Sequence, residues 1–411
     1  MAITITNQIS GTFPAYNDMI MIVTSDKTNQ PNFKFVMDVY INGSSTKAFR
    51  ETRPPDPIYS CGQFNASRTI ENYVSSNFDI DISTVYRAAD SIGTVTFKFG
   101  EEYGLSSSGT TVYSNLATSN TTIFWNGIFD HEDWCNFDTT RYRSQNSSSI
   151  FLTNSPANKK VYTNEKEYLY AINRTSGDIY YFQVICNDSA GSTIGVYRIY
   201  NSYQAITSYM DRMVRCPAGW NMNDISASDI TVLTGSLPIL TSSVSSYAIQ
   251  CVRYSGTATT QQKVYTVDSD CSRFTKYRFH FLNKLGGYDS FSFTKKNKWV
   301  SDIKRENYKK NIGELTSSSS YDTLASQRGV TQYSTSIEDK ITVKSDYLSS
   351  GDIAWLEELV TSPDVYVERN GTAVPVTIID SSFERHNGED KKLFNLSIDF
   401  KFSYKRNRQR F

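Results

Sequence analysis

The sequence predicts a mainly β protein of several domains: tandem antiparallel β-sandwiches followed by a C-terminal β domain that carries one helix. Three observations predict it. Aromatic residues are 14% of the chain, with 28 Tyr and 23 Phe amid abundant Ser, Thr and Asn, a mixture that favours strands and loops over helices. Apolar residues recur with period two in many short segments. Gly, Asn and Pro signals separate those segments. The 411 residues exceed what one core normally accommodates, so about two to four domains are expected.

The elements follow in order. Residues 33–41, FKFVMDVYI, place Phe33, Phe35, Met37, Val39 and Ile41 on one face and Lys34, Asp38 and Tyr40 on the other, the pattern of a half-buried strand. Asn42-Gly43 behind it is a strong hairpin signal. The run RPPDP at 53–57 cannot continue a ladder, because proline lacks the N–H. A short helix is predicted over 67–74, capped by Asn65 or Ser67, with Ile70, Tyr73 and Val74 facing inward. A strand at 94–100 closes this first sandwich near residue 104. The Gly/Ser break at 104–111 follows it. Central strands are predicted at 167–172, 178–186, 193–200, 247–254, 262–267 and through YRFHFLNKLGGYDSFSF, residues 277–293. Their short polar breaks predict hairpin links and antiparallel pairing. In 277–293 the aromatic strands flank Gly286-Gly287, which supply a positive φ or a bulge where the chain turns. This stretch is expected to join the sandwiches to the last domain.

Residues 313–329, GELTSSSSYDTLASQRG, are the best linker candidate. Beyond them DKITVKSDYL reads as a strand. A helix follows, capped by Ser349 or Ser350, with Asp352 in its first turn, Pro363 past its end and a stripe of Ile353, Leu356, Leu359 and Val360. Asn370-Gly371 makes a hairpin turn. In LFNLSIDFKFSY, Leu393, Asn395 and Ser397 alternate against Phe394, Leu396 and Ile398, and a basic tail ends the chain. The expected domains are 1–104, an N-terminal sandwich; 105–312, a central β region; 313–330, a Ser-rich linker; and 331–411, a strand-helix-hairpin-strand domain.

Charge is balanced, with 42 basic against 42 acidic residues, so no global field marks a nucleic-acid or acidic-lipid binder. The first ten residues, MAITITNQIS, have neither a basic n-region nor an apolar h-region, and no run approaches the roughly 18 apolar residues of a membrane span. The expectation is a chain made soluble without a secretion signal. Cys61, Cys135, Cys186, Cys216, Cys251 and Cys271 form no C-x-x-C pair and read as reduced thiols buried in sheets. The N-x-S/T triplets match chance in so Asn-, Ser- and Thr-rich a chain.

Material for catalysis is sparse. His131, His280 and His386 lie far apart, which leaves no Ser-His-Asp or Cys-His arrangement in view. His280 reads as a sheet histidine and His386 as part of a solvated turn. Asp130, His131, Glu132 and Asp133 offer cation ligands, but without the Gly-spaced D-x-D-x-D-G pattern. The favoured reading there is an exposed acidic loop between buried Trp125 and Trp134. Leu285-Gly286-Gly287 lacks the G-x-x-x-x-G-K-[ST] of a phosphate loop. Lys295, Lys296, Lys298, Lys304, Arg305, Lys309 and Lys310, interleaved with Phe291, Phe293, Trp299 and Tyr308, come closest to a nucleic-acid surface. A solvated edge strand blunted by lysines, or a charged assembly interface, is the favoured reading. Lys405, Arg406, Arg408 and Arg410 are expected to fray or to seat in an acidic groove of a neighbour. No catalytic, cofactor-binding or metal-ligating residue is assigned, and neither a cofactor nor a specific nucleic-acid partner is expected.

Three stretches carry a resemblance. NFKFVMDVYINGSSTKAFRETRPPDP resembles the N-terminal sandwich of phage virion proteins, and YRFHFLNKLGGYDSFSFTKKNK a central segment of such proteins. The layout from DYLSSGDIAWLEELVTSPDVYVERNG to KKLFNLSIDFKFSYKRNRQ is similar to the tail-tube-like fold of tube, distal-tail and hub proteins. The chain thus resembles structural tail or baseplate proteins of tailed bacteriophages. The resemblance implies immunoglobulin- or fibronectin-like sandwiches ahead of a tail-tube-like domain. It also implies a non-enzymatic virion protein, assembled as a ring of its own copies and bound to other tail proteins. The sandwiches would decorate the periphery or carry fibres, and no functional residue transfers. Strand addition between neighbours is expected to use LFNLSIDFKFSY. The alternative is an adhesin that grips host-surface glycans through Trp125, Trp134 and Trp220. A third reading, a carbohydrate-active enzyme, would rest on Asp130, Glu132 and Asp133.

Overall fold

The computed structural model describes residues 3–104, 111–173, 177–203, 212–268, 273–379 and 394–408. It is mainly β and divides into two compact units: Met1–Asp270 with Leu282–Ser290, and Cys271–Phe281 with Phe291–Phe411.

In the first unit, Thr4–Asn7, Ile20–Thr24 and Cys61–Asn65 form a three-stranded sheet. It faces a larger sheet ordered Thr12–Pro14, Thr122–Trp125, Ile92–Gly104, Lys34–Ile41 and Phe49–Arg53, and Thr111–Thr118 also pairs with Ile92–Gly104. Met21, Val23 and Phe64 from one sheet meet Phe35, Met37, Val39, Phe97 and Phe99 from the other in a common core. The alternation read at 33–41 explains that core face. Asp38, on the opposite face, is buried too, because Arg50 grips both its carboxylate oxygens at 2.6 Å and lies over the Tyr113 ring. Asn42 and Gly43 both take left-handed φ, 52° and 71°, as the turn requires. The sheet runs on past the Gly/Ser break to Thr122–Trp125; residues 105–110 of that break lie outside the described residues. The helix expected at 67–74 is one α-turn, Ser67–Ile70, then a 3-10 turn, Glu71–Tyr73. The tighter turn swings Tyr73 outward, so it is 44% exposed, while Ile70 and Val74 stay buried.

A second pair of sheets completes this unit. One is ordered Arg143–Ser144, Tyr168–Asn173, Arg212–Pro217, Tyr86–Arg87. The other is ordered Asn158–Tyr162, Lys263–Asp268, Ser246–Val252, Tyr181–Asn187, Thr193–Tyr200, Ile230–Thr234. Leu169, Ala171, Val214 and Cys216 pack with Phe182, Val184, Tyr247 and Cys251 between them. The predicted central strands are present, but their sheets are mixed rather than purely antiparallel. Among the described residues three pairings are parallel: Thr122–Trp125 on Thr12–Pro14, Arg143–Ser144 on Tyr168–Asn173, and Asn158–Tyr162 on Lys263–Asp268. The members of each pair are far apart in sequence, so no tight turn dictates their direction.

The remaining sheet is ordered Tyr288–Phe293, Tyr277–Leu282, Val365–Arg369, Thr372–Ile378, Phe394–Phe402, Val330–Leu348, Lys298–Lys309. Helix Ser350–Thr361 covers one face, packing Ile353, Leu356 and Leu359 with Phe279, Phe281, Val343, Ile398 and Phe400. Ser349 and Asp352 form a reciprocal capping box: each side chain accepts the other's backbone N–H, at 3.2 and 3.1 Å. Trp355, outside the predicted stripe, is buried against the rings of Phe281 and Phe291. Asn370 and Gly371 turn Val365–Arg369 into Thr372–Ile378 with left-handed φ of 53° and 78°.

Residues 313–329, read above as a linker, hold a small exposed hairpin, Glu314–Ser317 with Ser320–Asp322. They connect two strands of one sheet. The tail is docked instead of frayed: Arg406–Asn407 pairs with Ser336–Ile337, and the Arg406 guanidinium holds Asp339 at 2.7 and 2.9 Å. Arg410, Leu393, His386 and Cys271 lie outside the described residues.

Candidate assembly surface and the glycine hairpin

The strand expected to add to a neighbour, Phe394–Phe402, is not at an edge. Thr372–Ile378 pairs with one side of it and Val330–Leu348 with the other. Its buried Leu396, Ile398, Phe400 and Phe402 explain the alternation, which marks a strand without marking an edge. The edge is Lys298–Lys309. It pairs with Val330–Leu348 along its whole length, and among the described residues no strand pairs with its other side. Its residues are exposed except for half-buried Val300 and Asp302.

This edge is basic. Lys340 takes Asp302 at 2.6 Å, and Asp346 takes Lys295 at 2.9 Å. Lys298, Lys304, Arg305 and Lys309 have no ion-pair partner among the described residues. The lysine-rich edge strand is therefore where the sequence put it. Trp299 is not a free stacking platform, since it packs on Phe402 and lies under Arg369. Beyond Thr335 the two strands run on as a ribbon of Glu306–Lys309 against Val330–Ser334 and then the small hairpin. Ile312, Leu315, Tyr321, Leu324 and Val330 stand exposed on it, Leu315 by 77%. A two-stranded ribbon has no core of its own, and isolated hairpins are marginal in water.

Gly286-Gly287 has a different role. The hairpin's tip, Leu282–Ser290, belongs to the first unit. Asn283 organises it: its side-chain oxygen accepts the N–H groups of Leu285 and Gly287, each at 3.0 Å, and its amide donates to the Leu152 carbonyl at 2.9 Å. The Lys284 carbonyl accepts from the Ile128 N–H at 2.8 Å. Gly286 has φ +82°, and a Cβ there would stand 1.9 Å from the Asn126 carbonyl oxygen. Gly287 is needed for close approach, since its Cβ would meet the Tyr170 ring at 2.9 Å and the Leu152 carbonyl at 3.0 Å. Asp289 accepts from Thr153 at 2.9 Å. The glycines thus let a backbone loop seat against backbone.

Near this tip a cleft of about 230 Å³ is lined by Arg141, Phe151, Thr153, Ser155, Gln262 and Lys263. Burial, with Lys159 nearby, pushes the Lys263 ammonium down to about 8. Its three protons go to the Ser155 carbonyl, the Ser155 hydroxyl and the Pro156 carbonyl at 2.9, 2.6 and 2.5 Å, so Lys263 clamps this loop and exposes no amine lone pair.

The other candidates separate. Asp130 stands at the N-terminal end of a short helix, His131–Cys135, rather than in an open loop, and its carboxylate pairs with Lys284 at 2.6 Å. Glu132 and Asp133 are exposed, and among the described residues no group of three or more His, Cys, Asp or Glu could hold a metal ion. Trp125 is fully buried, whereas Trp134 and Trp220 are half-buried, so the three do not form a platform. His280 is buried in its strand with Nε2 3.6 Å from Glu368. Cys186, Cys216 and Cys251 are buried in strands, and burial raises each thiol's pKa; Cys61 is half-buried and Cys135 is exposed. No helix among the described residues is long and apolar enough to cross a membrane. No protein-family model matches the sequence, and no curated protein matches it significantly.

Proposed function

We propose that this chain is a non-enzymatic structural component of a bacteriophage virion. It assembles as a ring of its own copies in the tail or baseplate and links the tube to peripheral or fibre proteins. In this proposal the facing sheets of the first unit are immunoglobulin- or fibronectin-like sandwiches, and the second unit is a tail-tube-like domain. The observation that carries the proposal is the exposed ribbon continuing from Lys298–Lys309, an unpaired edge that leads into apolar side chains with no core. Such an edge gains hydrogen bonds and burial only from another chain. This replaces Phe394–Phe402 as the strand that meets a neighbour.

Light scattering after size exclusion, with electron microscopy of the eluted particles, tests it. Rings are expected from the wild type, and a folded monomer from the double variant Leu315→Asp, Leu324→Asp. A wild type that stays monomeric at every concentration and is absent from purified virions overturns the proposal.

One observation favours the second reading, a host-surface glycan adhesin. Tyr180, Tyr200 and Tyr254 stack edge to face, with ring centroids 4.9 and 5.8 Å from Tyr180, and Tyr254 is 78% exposed. A tyrosine platform of this kind suits a sugar face better than buried Trp125 and half-buried Trp134 and Trp220 do. Glycan-array binding that disappears in Tyr254→Ala, with melting unchanged, would select it.

A further inference from the structure

Arg215, in the strand Arg212–Pro217, is only 2% exposed. A guanidinium taken out of water normally finds a carboxylate, because an uncompensated buried charge is costly. Arg215 has none within ion-pair distance among the described residues. Its Nη2 donates to the Asp79 carbonyl at 2.5 Å and its Nη1 to the Tyr170 hydroxyl at 3.4 Å. The Tyr168 ring lies 4.4 Å from the guanidinium carbon. The Nε–H is buried and has no partner. These direct partners are all neutral, and a buried carboxylate nearby, Asp289, acts on the same Tyr170 without forming an ion pair with Arg215.

Arg215 also lines a cavity. It measures about 60 Å³ and is bounded by Ser76, Ser91, Tyr86, Tyr170 and Tyr288, with the exposed carboxylate-bearing Asp90 also in its wall. One water needs roughly 10–15 Å³ by the same measure, so the space exceeds a single water. It is too small for a sugar ring or a nucleotide. Asp90 disfavours a multiply charged guest, and the lone arginine supplies a single positive charge.

We propose that this cavity is a binding site for a compact monoanion, a halide or a small carboxylate, held by the Arg215 guanidinium. The anion neutralises the buried charge. It also fastens the segment from Ser76 to Ser91 onto the sheet, where Tyr86 pairs with Arg215 and the Ala88 N–H already bonds the Met213 carbonyl. The ligand is then part of the folded first unit and stabilises it by mass action.

The test uses the full chain with sodium bromide and sodium formate as probes. Sodium gluconate, too bulky for the cavity, holds ionic strength constant. Melting is compared between the wild type and Arg215→Met, which share any general salt effect. A saturating rise is expected in the wild type alone, about 3–5 °C at tenfold excess over Kd. Because Arg215→Met can fail to fold, crystals of the wild type grown in bromide supply a second measurement. An anomalous peak within hydrogen-bond reach of the Arg215 guanidinium is expected. Formate that displaces this peak identifies a carboxylate-accepting site, and formate that does not identifies a halide site; both support the proposal. Ordered water at Arg215 with no bromide overturns it. So does a peak without any saturating effect on the wild type in solution, which marks an adventitious ion only.

Discussion

Gly286→Ala measures how firmly the hairpin tip is seated. Gly286 sits at φ +82°, where an alanine costs about 1–2 kcal/mol through its Cβ alone. That Cβ would also lie 1.9 Å from the Asn126 carbonyl oxygen and 2.7 Å from its carbon, when ordinary contact begins near 3.4 Å. Both partners are backbone, so no side chain can rotate away, and the tip must lift by about 1.5 Å. Lifting stretches the bond from the Ile128 N–H to the Lys284 carbonyl, at 2.8 Å, and that from the Asn283 amide to the Leu152 carbonyl, at 2.9 Å. At about 1 kcal/mol for each, the loss totals about 3–4 kcal/mol. Gly43→Ala is the matched control: φ +71°, in the same unit, with nothing within 4 Å of its Cβ. It should cost only the conformational term of about 1–2 kcal/mol. Urea unfolding followed by tryptophan fluorescence compares the two. If Gly286→Ala and Gly43→Ala destabilise equally, the close seating of the tip is wrong.

Three further outcomes are expected. Leu356 is fully buried under the C-terminal helix, so Leu356→Ala should cost about 2–5 kcal/mol and Leu356→Asp should abolish the folding transition of the second unit; wild-type melting of the aspartate variant refutes the packing. The Arg406 guanidinium holds the Asp339 carboxyl below the ordinary carboxylate range, against a smaller opposing effect of burial. A depressed carboxylate pKa stabilises the fold above the unfolded value and stops doing so as pH falls through the folded value. The melting difference between wild type and Arg406→Gln should therefore be full at neutral pH and vanish in strong acid; a difference independent of pH contradicts it. Native alkylation followed by mass spectrometry should modify Cys135 first and leave Cys186, Cys216 and Cys251 untouched until urea unfolds the chain, because burial shields these thiols and raises their pKa.

What the sequence made legible was local. Period-two alternation located Lys34–Ile41, Thr193–Tyr200 and Phe394–Phe402, and Ser349 with Asp352 announced the helix. Asn42-Gly43 and Asn370-Gly371 are turns because only those side chains accept left-handed φ cheaply. Pairing partners were not legible. Alternation says which face is buried, while neighbours are chosen by contacts far apart in sequence, such as Thr12–Pro14 with Thr122–Trp125. For the same reason Phe394–Phe402 looked like an edge and is interior. At the glycine hairpin, Asn283 was the overlooked signal: an Asn two to four residues ahead of Leu-Gly-Gly can accept their N–H groups, as it does from Leu285 and Gly287. The unpaired charge of Arg215 had no sequence signal, since an arginine in a strand reads as surface until its neighbours are known.

The position of the edge strand constrains how copies would meet under the proposed function. A two-fold contact would set Lys298–Lys309 against itself. In an antiparallel self-pairing centred on the strand Lys298 would face Lys309, and the excess of basic over acidic residues on both copies disfavours that pairing. A head-to-tail contact has no such conflict, because the basic edge then meets a different surface of the next copy. The chain as a whole is neutral, so the basic residues of this edge are balanced by acidic ones elsewhere in each copy. Heterologous contacts of this kind close into rings when the rotation between neighbours permits. The lysines then have two effects in one place: they stop the edge from pairing with its own image and leave it open to an unlike partner. A self-complementary dimer through Lys298–Lys309 is the arrangement this charge pattern argues against, and a head-to-tail contact, on which the proposed ring depends, is free of that conflict.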